Sequence, residues 1–268
     1  MSGAGLSRAR QSSSRSRHGE SPVRVFGLDL GPARFAPPRS GDWAHLVTVR
    51  SGTLSLRAAG ALVFVTPTVA AWVPEGTAYG LELHARCELR VAYVAPAFAV
   101  ALAFGPVAYP PLLRELLERA VTSGYLDPGR PRDARVVALI ADELAALRDA
   151  PAPFALPVPR DPALLAVVET ALLARDGEEP PAVAALARAA CMSQRTFERR
   201  FARETGLAPR AWLRRMRLGG ASAALAGGAS VTEASLAAGY ASLSAFVAAY
   251  RRAFGTTPGA VARATLGR

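Results

Sequence analysis

The chain has 268 residues, 51% of them hydrophobic and 20% charged, which suits two domains that each bury a core. Its formal net charge is +11, and every basic side chain other than histidine is Arg. Cys87 and Cys191 stand far apart with no CxxC spacing, which argues against a disulfide framework and a structural zinc site. No apolar stretch approaches transmembrane length.

Residues 1–22 are rich in Ser and Arg and lack an apolar segment, so they are expected to be a disordered tail rather than a secretory signal. From Val23 to Pro96, short β-prone runs alternate with Gly and Pro. Strands are predicted over His45–Arg50, Thr53–Ala58, Leu62–Thr66, Val69–Val73, Ala78–Leu83 and Leu89–Val94. Such spacing implies a small sandwich or barrel. Two amphipathic helices follow, over Pro111–Ser123 and Asp133–Leu147, with apolar faces that need a partner. Residues 23–148 therefore read as one domain.

The segment 149–160 carries four prolines and reads as a semi-rigid linker. Asp161-Pro162 then supplies an N-cap and a first-turn proline, opening a helix to about Arg175 and a second domain, 161–268.

That second domain holds two helix-turn-helix patterns, Pro181–Gly206 and Ser230–Gly255. In the first, Ser193 caps a helix whose Phe197 and Phe201 must face inward. The opposite face then presents Gln194, Arg195, Glu198 and Arg199, long polar groups able to reach base edges. Arg200 and Arg203 suit phosphates. In the second, Ser242 caps a helix with Phe246, Tyr250 and Phe254 inside. Its outer face offers Leu243, Ser244, Val247 and Ala248, while Arg251 and Arg252 suit phosphates.

Charge follows the same division. From residue 181 onward there are 13 Arg against three acids, Glu198, Glu204 and Glu233, so nearly all the net charge lies here. A basic segment with this pattern is the footprint of phosphate-backbone binding.

Ser193–Leu218 (SQRTFERRFARETGLAPRAWLRRMRL) and Gly239–Pro258 (GYASLSAFVAAYRRAFGTTP) resemble the two-headed DNA-binding domain of AraC/XylS transcription regulators. The resemblance implies seven helices, with two heads on a joining helix about one DNA turn apart. By position it makes Arg195, Glu198 and Arg199 base contacts of the first head, and Leu243, Ser244, Val247 and Ala248 those of the second. Gly219-Gly220 departs from a good joining helix, and a less fixed angle between the heads is expected.

The β-rich unit resembles the cupin-like barrel of many such regulators. His45–Gly52 and Val73–Tyr79 stand where the two cupin motifs would be, yet the clustered His and acid ligands are missing. His45 is expected in the barrel wall, paired to a neighbour, and no metal or cofactor is expected. Trp43, His45, Trp72, Tyr79 and Arg90 are the candidates for lining a ligand pocket. Cys191, in the turn of the first head, is expected to pack as a small apolar residue.

The expected fold is thus α+β in two domains. A cupin-like β-barrel with trailing amphipathic helices precedes an all-α domain of two helix-turn-helix units joined by a long helix. The expected function is that of a cytoplasmic, non-enzymatic, sequence-specific transcriptional regulator. Its partners would be double-stranded DNA, a small-molecule effector, a second copy of the chain, and RNA polymerase if it activates; no membrane is expected. The rivals are a cupin enzyme controlled by a DNA-binding appendage and a ligand-independent DNA-binding dimer.

Overall fold

A computed structural model describes residues 21–35, 42–83, 86–150, 155–173 and 182–266. Among the described residues, ten strands make two five-stranded antiparallel sheets. Sheet A has the order β1 (Val23–Leu30), β8 (Cys87–Val94), β3 (Ala44–Val49), β6 (Val69–Val73), β9 (Gly105–Ala108). Sheet B has the order β10 (Leu156–Pro157), β5 (Ala61–Val65), β4 (Leu54–Ala58), β7 (Gly80–Leu83), β2 (Ala33–Phe35).

Side-chain alternation along each strand assigns the faces. Val47 and Val49 of β3, Val63 and Val65 of β5, and Leu54 and Leu56 of β4 meet in one buried cluster between the sheets. Leu46, Trp72, Ala92 and Val94 point to the other side of sheet A. There they are covered by helices α1 (Pro111–Ser123) and α2 (Pro131–Ala146), through Leu113, Leu117, Ile140 and Leu144. The helices expected to need a partner find it on this sheet.

The remaining helices are α3 (Pro162–Leu173), α4 (Val183–Ala189), α5 (Gln194–Thr205), α6 (Pro209–Ala226), α7 (Val231–Ala237), α8 (Leu243–Phe254) and α9 (Pro258–Leu266). Among the described residues these are seven, the number the resemblance implies. Asp161 caps α3, its Oδ1 accepting from the Ala163 and Leu164 amides at 2.9 and 3.3 Å.

Six expected strands and both expected N-terminal helices lie within two residues of the observed ones. Strands β1, β2, β9 and β10 were not individually foreseen. Part of the proline-rich segment read as a linker is built into the sheet: Leu156 and Pro157 pair with Leu62 and Ala61, and the Val158 amide donates to the Gly60 carbonyl at 2.8 Å. Residues 1–20 of the expected tail lie outside the described residues. Ser21 is fully buried, and the Pro22 carbonyl accepts from the Ala95 amide, so these two pack at the start of β1.

The outer face of β5 and the helical region share a core. Leu62, Phe64, Leu156 and Val158 pack with Leu164, Val168, Phe201, Trp212 and Leu213. Trp212 Nε1 donates to the Pro157 carbonyl at 2.6 Å. Val69 of β6 joins Leu218 and Leu225 in a further cluster around the second head. The sequence reading treated Gly219-Gly220 as a weak point. In the structure Gly219 is buried against the Phe64 ring, which occupies the space a side chain there would need.

Candidate nucleic-acid interface

The first head is α4, a turn and α5. Val183, Leu186 and Ala187 bury one side of α4. Ser193 caps α5, its Oγ accepting from the Thr196 amide at 3.3 Å. Phe197 and Phe201 are buried, and Trp212 of α6 meets Phe201 edge-on at 5.8 Å. This fixes the roll of α5, because residues four apart lie on one face.

Gln194, Arg195, Arg199 and Arg203 are consequently exposed and Glu198 is half-buried. Gln194 Nε2 donates to Glu198 Oε1 at 2.8 Å, so two expected base readers hold each other in place. Arg200 is placed differently. Its Nη1 is 3.8 Å from Asp161 Oδ2, and Glu204, one turn on, accepts from the Arg160 and Asp161 amides. This flank of α5 is committed to the start of α3. Cys191 is exposed at φ 53°, a turn position, so the apolar packing expected of it is not observed.

The second head is α7, a turn and α8. Ser230 and Glu233 form a reciprocal capping box, with the Glu233 amide donating to Ser230 Oγ at 3.2 Å and the Ser230 amide to Glu233 Oε2 at 2.8 Å. Those bonds hold the Glu233 carboxyl below its ordinary pKa. The sequence reading missed this box, although Ser-x-x-Glu before an apolar helix signals it. Ser242 caps α8 at 3.3 Å. Phe246, Tyr250 and Phe254 are buried, and the Tyr250 hydroxyl shares a 2.7 Å hydrogen bond with Ser222 of α6.

Leu243, Ser244 and Ala248 are exposed and Val247 half-buried. With Arg251, Arg252 and Thr257 they line an open concavity along α8. Leu243 leaves 47% of its surface in water. Both arginines are exposed in the last turn, where the helix dipole favours a cation.

The five candidates for an N-terminal pocket do not converge. His45 and Tyr79 meet between the sheets, with His45 Nδ1 2.8 Å from the Tyr79 hydroxyl and the Tyr93 ring tilted against the imidazole at 4.5 Å. Burial pushes the His45 pKa down to about 4 and the Tyr79 hydroxyl up. Trp72 points to the opposite face of sheet A, under α1 and α2. Arg90 is also on that side, its Nε donating to Glu118 Oε1 of α1 at 2.9 Å. Trp43 immediately precedes β3, with the Arg24 guanidinium 4.9 Å over its ring. Period-two alternation separates Trp72 and Arg90 from His45, a distinction the residue types alone did not draw.

Two capped helices with outward Arg, set on a common scaffold in the most basic part of the chain, define a helix-turn-helix DNA-binding protein. Residues 186–264 match a family model described as a helix-turn-helix domain. The HTH-type transcriptional regulator NimR of Escherichia coli (strain K12) is 28% identical over 248 residues, covering 91% of this chain and 88% of that protein. Similar solved structures include ToxT of Vibrio cholerae strain SCE256 with bound unsaturated fatty acid (TM-score 0.37, 10% identity, 92% of this chain and 96% of that one). Another is the DNA-binding domain of AdpA in complex with a target DNA (TM-score 0.34, 37% identity, 40% of this chain and 96% of that one). Residues 186–264 are a helix-turn-helix domain. The chain is a DNA-binding transcriptional regulator.

Proposed function

We propose that the two heads divide the work, the first reading sequence and the second holding the duplex. The observation that carries this is the contrast between the outward faces of α5 and α8. The first presents Gln194, Arg195, Glu198 and Arg199; the second presents Leu243, Ser244, Val247 and Ala248. Arg pairs bidentately with guanine, and small apolar groups meet thymine methyls without hydrogen-bonded readout. Arg203, Arg251 and Arg252 serve as phosphate contacts. Arg200 is the weakest of that set because Asp161 already faces it.

Residues 161–268 then form the DNA-binding domain, and residues 23–148 sense a small molecule, mediate dimerisation or do both, with 149–160 between them. The cupin-like reading of the two sheets belongs with this proposal. So do a cytoplasmic location and contact with RNA polymerase if the protein activates. A non-enzymatic role accords with His45 being engaged by Tyr79. Among the described residues, no three His, Cys, Asp or Glu side chains are grouped to hold a metal, and no helix is long and apolar enough to cross a membrane.

The test is binding of the full chain to its own promoter fragment across salt concentration. Neutralising several phosphates makes affinity fall steeply, by about 0.9 log units per phosphate per tenfold rise in salt. An affinity that stays flat rejects the proposal. Thermal stabilisation of the full chain by candidate metabolites tests the sensing role separately.

A further inference from the structure

The turn of the second head holds a group of side chains that neither head's reading face uses. Arg217 of α6 lies across Gly239, its Nη1 2.8 Å from where a Cβ on that glycine would be. Gly239 has φ 73°, so glycine suits the position twice over, by its backbone and by the close approach of the guanidinium. Tyr240 comes next, its ring packed edge-on against Phe246 at 5.5 Å. Two polar atoms here are buried without a hydrogen-bond partner, Arg217 Nε and the Tyr240 hydroxyl, although both residues are only half-buried. Arg214, one turn before Arg217 on α6, and Arg252, in the last turn of α8, are both exposed; burial raises the Tyr240 pKa, and these three guanidiniums oppose that rise.

Among the described residues from 182 on, no carboxylate pairs with these three cations. From residue 182 on, the described acids are engaged elsewhere: Glu198 with Gln194, Glu204 with the amides before α3, and Glu233 in its capping box. Arg217 and Tyr240 sit between α6 and α8, and Arg252 joins them to the concavity along the outward face of α8. When a helix lies in the major groove, its flanks meet the phosphates that border the groove.

We propose that Arg214, Arg217, Arg252 and the Tyr240 hydroxyl form a cradle for one DNA phosphodiester, seating the second head against the backbone. The proposal rests on the DNA-binding reading and adds Arg214, Arg217 and Tyr240 to its contacts. Arg214 and Arg252 draw the anion in, their long side chains turning with it. Arg217 Nε and the Tyr240 hydroxyl, which have no hydrogen-bond partner among the described residues, come within reach of the phosphate as the half-buried Arg217 side chain turns. The site carries no base information, so it strengthens every sequence alike.

The test compares wild type with Arg214→Gln, Arg217→Gln and Tyr240→Phe on cognate and random duplexes, with Arg135→Gln of α2 as a charge-loss control. Each cradle Arg variant is expected to lower the slope of log affinity against log salt by about 0.9, equally on both duplexes. Tyr240→Phe keeps the ring on Phe246 and is expected to weaken binding by about fivefold at unchanged slope. Wild-type slopes in Arg214→Gln and Arg217→Gln, or losses confined to the cognate duplex, overturn the cradle while leaving DNA binding intact. If the wild type itself binds neither duplex, the parent reading falls and the cradle with it. Melting curves check folding; should Arg217→Gln fail to fold, the exposed Arg214 still decides.

Discussion

Gly219 and Phe64 share a space that holds one side chain. The Phe64 ring lies where a Cβ on Gly219 would be, so the outer face of β5 sits directly on the helix that joins the heads. Introducing Gly219→Ala forces the ring or the helix to move, an overpacking cost of about 1–3 kcal/mol, offset by up to about 1 kcal/mol of helix propensity. Nothing lies within 4 Å of a Cβ on Gly220. Gly220→Ala should therefore stabilise the protein by up to about 1 kcal/mol. Chemical denaturation is expected to give opposite signs for these neighbours, and Phe64→Ala should relieve the Gly219→Ala defect. Equal effects at both glycines would show that Phe64 does not press on α6.

The capping box on α7 makes a local prediction. Ser230→Ala removes the acceptor for the Glu233 amide and should cost about 0.5–2 kcal/mol. Amide hydrogen exchange should speed up first in α7, whose seven residues offer few other anchors. Unchanged exchange there would mean that packing of Ala234 and Ser235 holds the helix without its cap.

Burial holds His45 neutral in the folded protein, with a pKa of about 4 against 6.5 in the unfolded chain. The unfolded state therefore binds the proton first as pH falls. The stability contribution is fully present above 6.5 and is lost progressively as pH drops to about 4. His45→Gln should flatten the stability profile in that window, as measured by denaturation at stepped pH. A profile as steep as wild type would assign the acid sensitivity to other groups.

Much of the helical region was legible because each element carries its own punctuation. Ser193 and Ser242 cap, Phe197 and Phe201 or Phe246 and Tyr250 fix the roll, and Gly206 and Gly255 end α5 and α8 in the left-handed region. The docking of sheet B was not read, although β5 carried the signal. Leu62 and Phe64 alternate with Val63 and Val65, so the strand is apolar on both faces, as expected only when both are buried. Pro157 hid β10, since proline argues against a strand; it is tolerated here because β10 is the sheet edge. The pocket candidates were chosen by residue type, and only register could separate Trp72 and Arg90 from His45.

The division between a reading head and a holding head is tested most directly by the ratio of affinities for cognate and random DNA. Arg199→Ala should cost roughly 1–3 kcal/mol at one base pair and lower that ratio. Val247→Ala should leave the ratio near wild type, any loss falling on both duplexes alike. If Val247→Ala lowers the ratio as much as Arg199→Ala does, the second head reads sequence too and the division is wrong.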